Sequence, residues 1–178
     1  MVGKVSLKEI IGTEDEIDFK EAIKCFECQD KDVEKFLKEK AFDFERRNKS
    51  RTYLLINPES EEIEILGYYT LTMKSLPFET GTSKSAIKKI DGFRSDVSST
   101  EAVLIGQIGK DFKHKEKISG KSIIDHAIDD VYKVQKIIGG RVVFLECFDI
   151  EKIVKFYKEN DFVFLQKSGE YLQMIRQL

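Results

Sequence analysis

The run from Ala102 to Ala127 constrains this chain more than any other part of it. Ala102–Gly109 is a continuous, mostly apolar stretch, the pattern of a strand buried inside a sheet. A charged loop, Lys110–Lys117, follows, and Ser119 opens a long helix. Its apolar positions Ile124, Ala127, Ile128, Val131, Val134 and Ile138 keep helical spacing. Gly139-Gly140 ends that helix, because glycine takes the left-handed conformation past a helix end without a Cβ clash. Val142–Cys147 reads as a second buried strand and Ile150–Asn160 as a second helix, with Ile153, Val154 and Tyr157 in register. Phe162–Gln166 and Tyr171–Ile175 close the chain as strands joined through Ser168-Gly169. Strand–helix–strand–helix–strand order demands an α/β fold with a mixed sheet flanked by helices, and excludes a helical bundle or a β-sandwich.

The first half is richer in hairpin signals. Val2–Ile11 is expected to form a first strand. Asp30 or Asp32 caps a helix through about Phe44, with Val33, Phe36, Leu37, Lys40 and Ala41 on one face. Thr52–Asn57 and Ile63–Met73 read as the arms of a hairpin turning at Pro58–Glu62. Leu76–Thr100 is the least regular part, with a short helix over Lys84–Ile90 and a turn at Asp91-Gly92.

A length of 178 residues suits one domain, with residues 1–178 read as a single unit able to bury a core without disulfides or metals. Charged residues make up 35%, but 30 basic against 32 acidic side chains leave a net charge of −2, which gives no support to a dedicated nucleic-acid binder. No apolar run is long enough to cross a membrane, and Lys4, Lys8 and Glu9 interrupt the stretch where a signal peptide would be apolar; a cytoplasmic location is expected. Three cysteines leave an odd one and imply no disulfide framework.

The start of the long helix, Ser119-Gly120-Lys121, offers first-turn N–H groups without internal partners at the positive end of the helix dipole. That is a phosphate site, with Lys113, Lys115, Lys117 and Lys121 adding charge and Gly120 allowing close backbone approach. A solvated lysine-rich loop with a glycine turn is the alternative. Ser119-Gly120-Lys121-Ser122 also ends like a nucleotide-binding P-loop, but that pattern needs glycine where Lys115 stands.

The segment Asp111–Ala127 resembles the central motif of the GCN5-related N-acetyltransferases, Arg/Gln-x-x-Gly-x-Gly/Ala followed by an apolar helix. Lys115 falls at the Arg/Gln position, Ile118 at the first glycine and Gly120 at the second. Phe156-Tyr157-Lys158-Glu159-Asn160-Asp161-Phe162 resembles the family's Phe-Tyr-x-x-x-Gly-Phe, with Asp161 replacing glycine. Gly67-Tyr68-Tyr69-Thr70-Leu71 is similar to the hairpin strand beside the acceptor site. Phe26-Glu27-Cys28, Val33–Ala41 and Arg51–Ile56 resemble a subgroup that includes toxins of toxin–antitoxin pairs, which acetylate the amino group of aminoacyl-tRNA. The resemblance spans about Phe26 to Met174.

It implies an acetyl-CoA cosubstrate held where two parallel strands, Ala102–Gly109 and Val142–Cys147, splay apart. Ile108, Gly109 and Lys110 would bond the pantetheine arm through their backbones. Lys115, Lys117, Ile118, Ser119, Gly120, Lys121 and Ser122 would hold the diphosphate. Tyr157 would be the acid that protonates the departing thiolate, and strand-end amides near Gly109 would stabilise the oxyanion. The alternative is that Tyr157 is a core residue of an amphipathic helix, with its hydroxyl tied to a backbone carbonyl. The partners implied are acetyl-CoA and an amine acceptor, with aminoacyl-tRNA, an antitoxin protein and a homodimer left open, and no membrane. A non-catalytic acyl-CoA-binding or partner-binding module is the reading from another class, because Ile118 and Asp161 stand where the family has glycines.

No metal is expected. Cys25-x-x-Cys28 lacks a second ligand pair, so a structural reading is preferred. His114 is expected as a solvated loop residue and His126 on a helix surface. Glu146 lies in a promising strand without a committed role. Arg46, Arg47, Lys49 and Arg51, with Lys84, Lys88 and Lys89, would meet tRNA phosphates on the toxin reading. Otherwise they are solvated faces balanced by Glu59, Glu61, Glu62 and Glu64. Tyr68 and Tyr69 either line the acceptor groove or pack on the sheet.

Overall fold

A computed structural model describes residues 2–178. Seven strands form one mixed sheet among the described residues: β1 (Gly3–Ser6), β2 (Arg51–Ile56), β3 (Ile65–Pro77), β4 (Ser99–Lys110), β5 (Val142–Phe148), β6 (Val163–Ser168) and β7 (Tyr171–Gln177), in the order β1-β2-β3-β4-β5-β7-β6. The helices are α1 (Leu7–Ile10), α2 (Glu16–Lys24), α3 (Lys31–Lys35), α4 (Ala41–Arg46), α5 (Lys84–Asp91), α6 (Gly120–Ile138) and α7 (Glu151–Lys158), with a π-helical segment, Phe36–Lys40, between α3 and α4. This is the expected α/β class. The chain forms two compact units, the first running through Thr72 together with Gln107–Ala127, the second comprising Met73–Gly106 and Ile128–Leu178.

The first unit is built on the antiparallel β1–β2–β3 ribbon. Its core holds Leu7, Ile10, Phe19, Ile23, Phe26, Leu37, Ala41, Leu54 and Tyr68. The strand expected over Val2–Ile11 stops at Ser6, whose hydroxyl accepts from the Lys8 N–H at 3.2 Å and turns Leu7–Ile10 into a helical turn that buries Leu7 and Ile10. Asp30 is the cap of the next helix; its Oδ1 accepts from the Asp32 and Val33 N–H groups at 2.9 and 3.2 Å. Leu37 and Ala41, four residues apart on one face, both lie in the core.

The basic residues of this region are paired, but not with the acidic run after Pro58. Arg47 bonds Asp43 at 2.8 Å, Arg46 bonds Glu16, and Lys49 lies 5.3 Å from the Phe44 ring centre. Arg51 bonds Glu45 at 2.7 Å; Glu45 is fully buried and also accepts from the Thr52 N–H at 2.8 Å. Acids of α2 and α4 thus compensate Arg46, Arg47 and Arg51.

The second unit centres on the β5–β7–β6 antiparallel ladder. Leu76, Ile90, Ala102, Leu104, Val142, Phe144 and Ile175 form its core. Gly92 takes φ 89° and ends α5, as the Asp91-Gly92 turn required. The last turn of α6 leaves the apolar stripe: Ile138, expected on the buried face, is 60% exposed.

Parallel pairing between β4 and β5 comprises Val103↔Val143 and Leu104↔Phe144, with no further pair among the described residues. Both strands nevertheless continue, β4 to Lys110 and β5 to Phe148. Backbone groups past the last pair are therefore not spent on each other, as the splayed-strand expectation required.

Candidate functional site

In the first unit the site elements are the end of β4, the loop after it and the first turns of α6. Asp111 organises the loop. It is 2% exposed; its Oδ1 accepts from the Lys113 N–H at 2.6 Å and the His114 N–H at 3.2 Å, and its Oδ2 accepts from the Glu27 N–H at 3.0 Å. Its own N–H donates to Leu66 O at 2.9 Å, and Phe112 N–H donates to Glu27 O at 2.7 Å. One buried carboxylate thus ties the loop to β3 and to the segment after α2. Sequence reading passed over Asp111; an acid directly after a buried strand and before a glycine-free loop was the available signal.

Ser119 caps α6, accepting from the Ser122 N–H at 3.0 Å. Ser119 and Lys121 are exposed and Gly120 and Ser122 are half-buried, so the start of the helix is open. Ile118 has its side chain in the core, 5% exposed, so that any contact to a ligand there is through its backbone. Ile108 and Lys110 are half-buried. Gly109 is buried, and a Cβ on it would sit 2.6 Å from Tyr68 Cε1 and 3.0 Å from Val33 Cγ1. The glycine is thus required by the Tyr68 ring, which answers part of the hairpin question: Tyr68 and Tyr69 are both fully buried. Tyr68 Oη donates to Val33 O at 2.5 Å and Tyr69 Oη to His126 O at 3.2 Å. Burial drives the Tyr68 phenol far above its usual range.

Most of the loop lysines already have partners. Lys117 bonds Glu64 at 2.6 Å, Lys121 bonds Asp125 at 2.7 Å, and Lys113 pairs with Glu27 at 3.2 Å. Lys117 in turn holds the Glu64 carboxyl below its ordinary value. Among the described residues Lys115 has no ion pair; its carbonyl accepts from Lys110 Nζ at 3.5 Å. Exposed pairs of this kind are worth about 0–1 kcal/mol each, so a doubly charged diphosphate would displace them at little cost. His114 is not a solvated loop residue. Its Nδ1 lies 3.3 Å from Asp111 Oδ1 and its Nε2 3.8 Å from Glu64 Oε1.

A cavity of this unit, about 930 Å³, is lined by Asp18, Glu21, Glu61, Glu62, Glu64 and Asp111, together with Lys113 and His114. Its predominantly acidic wall makes it a poor seat for a diphosphate. Among the described residues no group of three or more His, Cys, Asp or Glu side chains could hold a metal ion.

Cys25 is exposed and Cys28 buried, both as free thiols. Cys28 Sγ donates to Asp30 O at 3.0 Å, and burial pushes its thiol up to about 11. Burial also raises the Cys147 thiol. With neither buried thiol forming thiolate at neutral pH, a thiol reagent applied to the native protein is expected to label Cys25 quickly and the other two only on unfolding. Peptide mapping after timed alkylation checks this; equal rates at Cys25 and Cys28 would revive a redox reading.

In the second unit Tyr157 sits on α7, half-buried, with ring centres of Phe156 and Phe162 at 5.3 and 6.0 Å. Its carbonyl accepts from the Asn160 and Phe162 N–H groups at 3.0 and 3.1 Å, which closes the helix. Asp161, in the family's glycine position, has φ 66°, the left-handed region that glycine occupies freely and aspartate tolerates. It lies 3.6 Å from Arg176, so the departure from glycine keeps the turn. Lys84, Lys88 and Lys89 are exposed on α5. No helix of the described residues is long and apolar enough to cross a membrane.

Comparison with known proteins gives a single kind of result. No family model matches the sequence, and no curated protein matches it. Solved structures do match over nearly the whole chain. AtaT complexed with acetyl-methionyl-tRNAfMet superposes with a TM-score of 0.75 at 22% identity, covering 98% of this chain and 94% of that one. A tyrosine-to-phenylalanine mutant of KacT gives 0.75 at 22% identity, covering 99% and 94%. AtaTR bound with AcCoA gives 0.73 at 23% identity, covering 99% and 93%. At such identities the likeness establishes the fold, which is the one these proteins share.

Proposed function

We propose that this chain is an N-acetyltransferase that moves the acetyl group of acetyl-CoA to an amine, and that its acceptor is aminoacyl-tRNA. The observation that carries the reading is the β4–β5 pairing that stops at Leu104↔Phe144 while both strands run on. It leaves backbone donors and acceptors for a pantetheine arm, and the capped, open start of α6 supplies amides for a diphosphate. Ile108, Gly109 and Lys110 take the arm; Lys115, Lys117, Ile118, Ser119, Gly120, Lys121 and Ser122 take the diphosphate. The neutral amine attacks the thioester carbonyl, the carbon–sulfur bond breaks, Tyr157 gives its phenol proton to the leaving thiolate, and the proton that the acylated nitrogen sheds passes through solvent to restore the phenol. The neighbours' descriptions favour this acceptor: AtaT is seen with acetyl-methionyl-tRNAfMet, and with the C-terminus of the antitoxin AtaR. An antitoxin partner belongs to the same proposal.

A non-catalytic module loses its main support, because both departures from glycine are absorbed locally. The Ile118 side chain turns into the core and Asp161 adopts the left-handed turn.

Acetyl-CoA at about 100 times its Kd is expected to stabilise the protein by about 2.7 kcal/mol, or very roughly 5–10 °C in Tm for a chain of this size. Differential scanning fluorimetry checks it; an unmoved transition at saturating acetyl-CoA would overturn the cosubstrate. Radiolabelled acetyl-CoA offered with charged tRNA, uncharged tRNA and polyamines then sorts acceptors, and charged tRNA left unlabelled at low salt would remove the toxin-like reading.

A further inference from the structure

The second unit carries a polar row that the transferase reading leaves unused. On one face of β5, Phe144 joins Leu104 and Ile175, its register partners, in the apolar core. Side chains two residues apart share a strand face, so Glu146 is the next residue on that face, past the last β4 pair. Its register partner is Gln173 on β7, and Gln173 is in turn the partner of Gln166 on β6.

These side chains form one directed chain of hydrogen bonds. Gln166 Oε1 accepts from the Glu79 N–H at 3.1 Å and from Thr82 Oγ1 at 2.6 Å. Its Nε2 therefore faces the other way, donating to Pro77 O at 2.7 Å and to Gln173 Oε1 at 2.6 Å. That leaves Gln173 Nε2 to donate to Glu146 Oε1 at 2.9 Å. Gln166 and Gln173 are 6% and 2% exposed, so their amides are locked: turning either one would bury unsatisfied groups. One oxygen of Glu146 is thus held by a fixed donor. The other, Oε2, faces Lys74 Nζ at 3.4 Å, with the two side chains 30% and 49% exposed. Charge-assisted bonds to an ammonium commonly close to about 2.7–2.9 Å, so the Lys74 hydrogen bond to Oε2 is a long one that a second ammonium can replace.

We propose that Glu146 Oε2 is the docking point for the protonated primary amine of the acceptor, an α-ammonium group that displaces Lys74 Nζ. Gln173 and Gln166 are positioning residues that aim the carboxylate. The assignment rests on the transferase reading for its purpose but not for its chemistry, which is recognition of one ammonium by one oriented carboxylate. Holding the amine, not taking its proton, is the role given to Glu146; the ammonium loses its proton to solvent, and the neutral amine is the form that attacks.

The probe is methionine methyl ester, titrated into the cofactor-free protein while the side-chain amide resonances of Gln166 and Gln173 are followed by NMR. Those resonances are expected to move in saturable fashion. Glu146→Gln, which keeps the shape and still accepts from Gln173, is expected to weaken binding about 10-fold through loss of one charged hydrogen bond, and Lys74→Met to strengthen it. N-acetylmethionine methyl ester, which has no charge on nitrogen, is expected to leave the resonances still. Failure of the ammonium ester to move them, or equal shifts from both esters, overturns the docking site. In steady-state transfer, Glu146→Gln is expected to raise KM for the amine about 10-fold with acetyl-CoA affinity unchanged, and an unchanged KM overturns the proposal. Ester docking intact in a protein that transfers no acetyl group would refute the transferase reading and leave the ammonium site standing.

Discussion

Tyr157→Phe is expected to lower turnover by about 10²–10⁴-fold, the usual contribution of a positioned general acid, with acetyl-CoA affinity unchanged. The substitution removes the hydroxyl and nothing else. The ring keeps its contacts with Phe156 and Phe162, and the bonds that close α7 run to the Tyr157 carbonyl. Stability is expected to change by no more than about 1.5 kcal/mol, the worth of one hydrogen bond, which separates a chemical loss from a structural one. Single-turnover transfer measured beside calorimetric acetyl-CoA binding checks both halves. Turnover at the parental level would leave the thiolate to be protonated by solvent and remove Tyr157 from the mechanism. A parallel loss of cofactor affinity would make the residue part of the binding surface instead.

Asp111→Ala should act through the opposite route, by loosening a loop without touching the reacting atoms. The buried carboxylate accepts three backbone N–H groups, from Glu27, Lys113 and His114. Each donor left unsatisfied costs on the order of 1–3 kcal/mol, with the more exposed ones rescued by water. A loss of about 3 kcal/mol follows, and at about 2–4 °C per kcal/mol for this size Tm should fall by about 6–12 °C. Because the same carboxylate fixes the path from β4 into α6, acetyl-CoA affinity should fall with it. Asp111→Asn keeps one acceptor oxygen but turns an NH₂ toward a donor, so an intermediate loss is expected. Urea denaturation with binding calorimetry on both variants measures this, and a fully stable Asp111→Ala protein with normal affinity would mean that the loop is held elsewhere.

Local signals were legible where the chain supplies its own partners. The Asp30 cap, the Ser119 cap, the Gly92 stop and the buried run of β4 each depend on residues a few positions apart, so spacing is enough to find them. Helix α2 escaped because its stripe is narrow: Phe19 and Ile23 are buried while Ile17 is 70% exposed. Glu45 was invisible among charges that look like a solvated face, yet its burial against Arg51 and Thr52 is what neutralises that face. Tyr68 and Tyr69 could not be assigned between groove and core, because one strand pattern is compatible with either until the opposite layer is present.

Apolar periodicity, helix caps and glycine stops were enough for the amino-acid sequence alone to determine the order of elements, the α/β class and the start of α6 at Ser119. These are interactions within a turn or two of chain. Which polar groups are buried, and whom they bond, only the tertiary structure decided. Asp111 finds Glu27 across 84 residues and Gln166 finds Pro77 across 89, and no pattern along the chain encodes a partner at that distance. A buried polar group must be satisfied wherever the fold places it, so the donors that aim Glu146 and hold the loop come into being only when the strands and loops have met.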